Sequence, residues 1–382
     1  MIPYGRQNVS AEDVQAVVDV LQSDFLTQGP VVPAFEQALA ELTGARHAVA
    51  VNSATSALHV ACQAIGLGPG DLLWTVPNTF LASANCARYC GADVGFVDID
   101  PGTWNMSATA LAQRLAEAER AGRLPKVVVP VAFGGQSCDM RAISALAKRY
   151  GFAVIEDASH AVGATYAGQP VGCGEFADIT VFSFHPVKIV TSAEGGMAMT
   201  QDDRLATRMQ LFRSHGMTRD PTLMHGESEG SWYYEQIELG YNYRMTELQA
   251  ALGLSQLKRL RQFVERRHEI AARYATLLSG LPLASQHPLV EAHSALHLYP
   301  IRLHDTQRRR AVFEAMRAAG IGVNVHYIPV HLQPYYRRLG FKRGDFPIAE
   351  AYYAGAITLP MYPDLDDAMQ NQVVAALKKA LQ

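Results

Sequence analysis

The chain has 382 residues, with 33 Lys and Arg against 36 Asp and Glu, giving a formal charge of −3. Hydrophobic residues make up 49% and charged residues 18%, which excludes a disordered chain, and no basic excess is present to neutralise nucleic-acid phosphates. The most apolar stretch, residues 127–135, is far shorter than the ~20 residues a bilayer span needs, so no membrane role is expected.

In chain order, residues 47–51 read as a strand and 54–65 as a helix closed by Gly66. A strand over 71–76, a helix over 80–89 and a strand over 94–97 follow. Further strands fall at 127–131, 153–155 and 179–182, with a helix over 140–150 between the first two. Short β-branched runs alternating with helices imply crossover connections and a mostly parallel sheet covered on both faces. Beyond residue 200 the pattern changes. Residues 246–278 have helical periodicity without proline, long enough to link two domains. A strand over 297–301, a helix over 307–319, an extended run over 322–327 and a final helix over 366–381 complete the chain. The expected architecture is a large α/β domain with an N-terminal arm over 1–250 and a smaller α+β domain over 251–382. Residues 226–231, Gly-Glu-Ser-Glu-Gly-Ser, are expected to form a mobile loop.

Residues 1–6 carry no apolar signal-peptide core, so a cytoplasmic location is expected. The five cysteines, Cys62, Cys86, Cys90, Cys138 and Cys173, are scattered and odd in number. They suit small buried apolar residues in a reducing compartment. Neither they nor the 13 dispersed histidines have metal-site spacing, so no metal is expected.

In parallel sheets ligands gather beyond the carboxyl ends of the strands, and four such ends carry polar chemistry. Asn52-Ser53-Ala54-Thr55-Ser56 joins a strand to a helix, where backbone N–H groups and hydroxyls can hold a phosphate. The same residues suit a plain helix cap. Asp157 ends an apolar strand; a carboxylate there can keep a pyridinium nitrogen protonated, as pyridoxal phosphate (PLP) requires, or can cap the next turn. Lys188 follows Phe182-Ser183-Phe184-His185-Pro186-Val187, placing an amine where it can link to a cofactor aldehyde or lie solvated. Phe80 opens a helix after the second strand, able to stack on a flat ring or to fill core.

Taken together with Leu26-Thr27-Gln28-Gly29, Glu194-Gly195-Gly196, Gly240-Tyr241-Asn242-Tyr243-Arg244 and Leu359-Pro360-Met361-Tyr362-Pro363, this ordered set resembles the DegT/DnrJ/EryC1/StrS nucleotide-sugar aminotransferases. The resemblance covers nearly the whole chain. It implies the fold type I, aspartate aminotransferase-like PLP-dependent transferase architecture. Within the family, Ser183 to Lys188, Tyr233-Tyr234-Glu235-Gln236 and the run from Val325 to His331 look like the pseudaminic acid pathway transaminases. That likeness implies transfer of nitrogen from L-glutamate to a UDP-linked 4-keto-6-deoxy-N-acetylhexosamine. The alternative is a different UDP- or dTDP-linked keto sugar, aminated at C3 or C4.

By the same resemblance Lys188 matches the Schiff-base lysine and proton shuttle, and Asp157 the pyridinium partner. His160 matches a position near the cofactor's ring oxygen, Phe80 the stacking aromatic, and Thr55, Ser56 and Ser183 the phosphate contacts. Asn242 matches a residue reaching the phosphate from a neighbouring subunit, so a homodimer with shared sites is implied. Tyr4, Thr27, Gln28, Ser56, His326 and Tyr327 match segments lining the sugar-nucleotide site, and Arg244 is a candidate for the glutamate carboxylate or the diphosphate. Two rivals remain at this level: a sister dehydratase, which carries histidine in place of Lys188, and a non-catalytic binding protein on the same fold. The chain departs from relatives at Ser192-Ala193, where Thr-Gly is frequent, and at Asn78, where Ser or Thr is frequent.

Overall fold

The computed structural model describes all residues from Met1 to Gln382. Seven short, almost wholly buried strands build the main sheet: β1 (His47–Val51), β2 (Leu72–Thr75), β3 (Asp93–Phe96), β4 (Val127–Val128), β5 (Ala153–Asp157), β6 (Ile179–Ser183) and β7 (Gly196–Thr200). Their order is β1-β7-β6-β5-β4-β2-β3. The β2–β3, β2–β4, β4–β5 and β5–β6 pairings are parallel, and both antiparallel ones are made by β7. A strand of small residues and methionines, Gly-Met-Ala-Met-Thr, gives little β-branched signal, and β7 is not among the strands read from the pattern. The strand expected over 127–131 is regular only at Val127–Val128; Pro130 brings no N–H, and its carbonyl instead accepts from Asp157 at 2.9 Å.

The crossovers are helical. Helix α1 (Ala11–Leu21) and α2 (Val31–Thr43) precede the sheet. Ser53 caps α3 (Ala54–Ile65), which closes at Gly66 in the left-handed region with φ 82°. Next come α4 (Ala82–Tyr89), α5 (Ala108–Arg120), α6 (Met140–Tyr150) and α7 (Asp203–Arg213). The helical run expected over 246–278 is two helices, α8 (Glu247–Leu257) and α9 (Leu260–Leu277). The break at Lys258–Arg259 lets Arg259 turn back to α1, where its guanidinium reaches Asn8 and Asp13.

Three apolar clusters hold the layers. The largest surrounds the sheet, α3 and α4, and takes in Val330, Tyr336, Phe346 and Tyr352 from the C-terminal third. A second packs Phe35, Leu39, Leu260 and Phe263 against Phe182, Phe184 and Met197. The third, from Ile270 to Leu377, encloses a three-stranded antiparallel sheet of β8 (Leu283–Ser285), β9 (Tyr299–Leu303) and β10 (Ala356–Leu359). Residue 250 lies inside α8, which packs on α1 and α2. The N-terminal arm runs onto the C-terminal part: Ile2 bridges Ile321, and the Tyr4 carbonyl accepts from Met361 at 2.9 Å. No helix is long and apolar enough to cross a membrane.

Candidate active site

A cavity of about 510 Å³ opens at the carboxyl ends of β2, β5 and β6. Its floor and walls bring together Ser53, Thr55, Phe80, Asp157, His160, Ser183, Lys188 and Glu194 from the large sheet region. Tyr4 of the arm and Asn324 to Tyr327 close it from the other side.

Asp157 is the last residue of β5, so the alternation of the strand delivers its carboxylate to the sheet edge. Three donors fix it: Ser83 Oγ to Oδ2 at 2.6 Å, and Ser159 N and Oγ to Oδ1 at 3.1 and 2.6 Å. Ser159 makes this turn from two residues on, and Ser83 reaches across from α4, where Thr79 holds it at 2.7 Å. Lys188 sits in the hairpin between β6 and β7. Its N–H donates to the His185 carbonyl at 2.9 Å, and the hairpin closes through Phe184 N to Gly195 O at 2.9 Å. The residual exposure of Lys188 is to the cavity it lines. Burial lowers its pKa to about 8, against an opposing pull from the Asp157 carboxylate.

At the start of α3, Ser53 Oγ accepts from Ser56 N at 3.1 Å, and Ser56 Oγ donates to Asn52 Oδ1 at 2.6 Å. Thr55 faces the cavity, whereas Ser56 stays outside its lining with its hydroxyl committed to Asn52. Gly196 makes this approach possible, because a Cβ there would lie 2.5 Å from the Ala54 nitrogen and the Ser53 carbonyl carbon. Phe80 lines the cavity with 59% of its surface exposed, its ring 6.3 Å from that of Tyr327. A flat face is therefore on offer to a ligand.

His160 is buried beside Lys188, and both burial and that amine push its pKa well below the ordinary histidine value. Its Nδ1 accepts from Gly134 N at 3.3 Å, and its Nε2 meets the Tyr327 hydroxyl at 3.2 Å. His326 pairs through Nδ1 with Thr358 Oγ1 at 2.8 Å, and burial, aided by Lys188, lowers its pKa to about 3. Tyr4 lies against it, ring centroids 5.5 Å apart.

Several contributors have no strong sequence signal: Ser83, Gly134, His297 and Asn324. Asn78, visible as a departure, accepts from Tyr327 N at 3.3 Å and donates to the Trp104 carbonyl at 3.3 Å, tying the Tyr327 segment to the large region. Ala193, the other departure, sits at φ 65°, a conformation that favours glycine. Asn242, Thr27, Gln28 and Arg244 lie outside the cavity lining of this chain. Asn242 bridges Ser214, and Thr27 bridges Thr246.

The donor set fits PLP. An acid for the ring nitrogen, an amine for the aldehyde, a helix start with serine and threonine for the phosphate, and an exposed aromatic for the ring all face one cavity. Residues 7–378 match the DegT/DnrJ/EryC1/StrS aminotransferase family. The chain belongs to that family. It is 42% identical over 383 residues to the spore coat polysaccharide biosynthesis protein SpsC of Bacillus subtilis, covering 99% of this chain and 96% of the relative. It is 38% identical over 371 residues to the UDP-4-amino-4,6-dideoxy-N-acetyl-beta-L-altrosamine transaminase of Campylobacter jejuni, covering 96% and 94%. Among solved structures, Helicobacter pylori PseC, an aminotransferase involved in pseudoaminic acid biosynthesis, superposes with a TM-score of 0.91 at 33% identity, covering 100% and 99%. One other solved relative, the putative sugar aminotransferase Spr1654 of Streptococcus pneumoniae at 31% identity, is known in PLP and PMP forms. The protein is thus a PLP-dependent sugar aminotransferase of fold type I, acting on nucleotide-linked sugars.

Proposed function

We propose that this aminotransferase moves the amino group of L-glutamate to C4 of a UDP-linked 4-keto-6-deoxy-N-acetylhexosamine, a step of pseudaminic acid biosynthesis. The likeness to the Campylobacter jejuni transaminase over nearly the full length carries this reading, and the likeness to PseC supports it. A second reading, amination of another UDP- or dTDP-keto sugar, draws on the 42% identity to SpsC, which is named for spore coat polysaccharide.

When bound, PLP supplies an electron sink for the carbon that loses its proton. The rest is the work of the chain. Asp157, held by Ser83 and Ser159, would keep the ring nitrogen protonated. The start of α3, with Thr55 and Ser183, would hold the phosphate, and Phe80 would cover the ring. Lys188 would hold the aldehyde carbon. Once freed, its Nζ takes the proton from the α-carbon of glutamate and later returns one to the sugar carbon. A pKa near 8 keeps a usable neutral fraction of that amine at physiological pH. Tyr4, His326 and Tyr327 would line the sugar side of the cavity. Thr27, Gln28 and Ser56 are assigned to the same substrate region on resemblance alone.

Asn242 lies outside the lining of this chain's cavity, and in our reading it completes the phosphate site of a second copy in a homodimer. Product analysis with glutamate and a panel of UDP- and dTDP-keto sugars tests the substrate. The UDP-linked 4-keto-6-deoxy-N-acetylhexosamine should give the highest kcat/KM, and preference for a dTDP sugar would overturn the reading. Lys188→Ala should reduce turnover by at least about a thousandfold. Near-wild-type transamination by that variant would remove Lys188 from the proton transfer.

A further inference from the structure

A second cavity, a groove of about 520 Å³, runs along β3, the edge strand of the main sheet, and shares no residue with the catalytic one. Its size falls in the range of small-molecule sites. Three arginines border it, Arg88, Arg114 and Arg123, together with Asp93 and Glu117. Asp93 takes up two of them: Arg88 Nη1 lies 3.3 Å from Oδ1, and Arg123 Nη2 lies 2.9 Å from Oδ2. Arg88 also donates to the Ala92 carbonyl at 2.6 Å. Arg114 is left over.

Helix α5 carries Arg114 one turn before Glu117, yet the two form no ion pair, and the guanidinium makes no hydrogen bond within the chain. It lies over the Trp74 ring instead, 4.5 Å from the centroid. Burial lowers its pKa, with only the more distant Glu117 charge opposing. Trp74, on β2 and 2% exposed, shares the lack: its Nε1–H has no partner. Both nitrogens stand over one spot. A Cβ on Gly95 of β3 would lie 2.9 Å from Arg114 Nη2 and 2.9 Å from Trp74 Nε1. Two donors without acceptors, set over a residue with no side chain, call for an acceptor brought from outside. Arg114, half-buried at the groove, is the one a ligand reaches first.

The charges select the kind of acceptor. Three guanidiniums against two carboxylates leave a single positive charge in the groove, which matches a monoanion; a phosphate dianion would also face Asp93 and Glu117. The guanidinium fork fits a carboxylate through two parallel bonds. Leu72, Val94, Ala118, Leu339 and Phe341 line the rest, an apolar wall for the body of the ligand. We propose that this groove binds an organic monocarboxylate, its carboxylate on Arg114 and its apolar body against Leu339 and Phe341.

Tryptophan fluorescence of the PLP-loaded protein reads the binding, because Trp74 carries the Arg114 guanidinium on its ring. Sodium phenylacetate, one carboxylate on an apolar ring, is the probe. It should give a saturable change with a Kd of about 10 mM or tighter. Arg114→Gln should weaken that binding at least about tenfold and leave transamination at the wild-type rate, which separates the groove from the catalytic cavity. Arg114→Lys keeps the charge but loses the fork, and its several-fold loss of affinity decides the matter if Arg114→Gln folds poorly. Phenylacetamide, the neutral isostere, should not compete, and inorganic phosphate should compete at least about tenfold more weakly. Equal affinity in the wild type and the Arg114 variants overturns the assignment. So does binding of the amide or of phosphate as tight as that of phenylacetate, or a change that never saturates.

Discussion

Lys188 shows how much one side chain owes to where its strand ends. A lysine in water is almost wholly protonated at neutral pH and cannot attack an aldehyde. Burial in the cavity brings its pKa down to about 8, so roughly a tenth of the amine is neutral at pH 7. Raising pH from 6 increases the neutral fraction through one half at about pH 8, and little more is gained beyond about one pH unit above that. The rate at which PLP attaches to apoprotein, followed by stopped-flow absorbance, should be half-maximal near pH 8 and level off about one unit above it. Continued rise toward pH 10 would show an ordinary, solvated lysine. Lys188 and Asp157 were legible in the sequence because each ends an apolar run and follows the sheet's rhythm. Ser83 was not, since a serine on a small helix looks like any other until the fold brings it 2.6 Å from Asp157.

Helix α2 illustrates how elements borrow from one another. It begins after Pro30, and no side chain of its own first turn caps it. Glu247, on α8, is almost fully buried and supplies what is missing: its carboxylate accepts from Val31 N at 2.6 Å and Val32 N at 3.3 Å. A negative group at this end also meets the positive end of the helix dipole. Gly29 is small enough to admit it, as a Cβ there would lie 2.9 Å from Glu247 Oε2. Glu247→Gln should cost about 1–2 kcal/mol, read as a lower urea midpoint with an unchanged slope. The helical period over 246–278 showed that helix was present, but not the break at Lys258–Arg259. That break answers to Asn8 and Asp13, some 250 residues earlier, and no local pattern encodes such a partner.

At the scale of the molecule, the cavity lies where the N-terminal arm, the large sheet and the segment around His326 converge, so no single stretch of sequence contains it. The strand–helix alternation from 45 to 200 made the parallel sheet readable, while β7, which turns against its neighbours, was hidden by its composition. A homodimer with shared sites makes a quantitative expectation. Lys188→Ala and Asn242→Ala subunits, each impaired alone, should recover activity when co-refolded. Random pairing makes half of the dimers mixed, each with one intact site, hence about a quarter of wild-type activity. No recovery would mean that each chain works alone.

The contact at Gly196 reaches further than the packing it permits. The strand that closes the Lys188 hairpin touches the first residues of α3 backbone to backbone, with no side chain between them. The backbone distance between the Lys188 hairpin and the start of α3 is therefore set by direct contact, with no intervening side chain to adjust it. If Lys188 and Thr55 hold the two ends of PLP as proposed, a coenzyme analogue lengthened by one methylene in its phosphate arm should bind more weakly, because only the lysine side chain can take up the extra length.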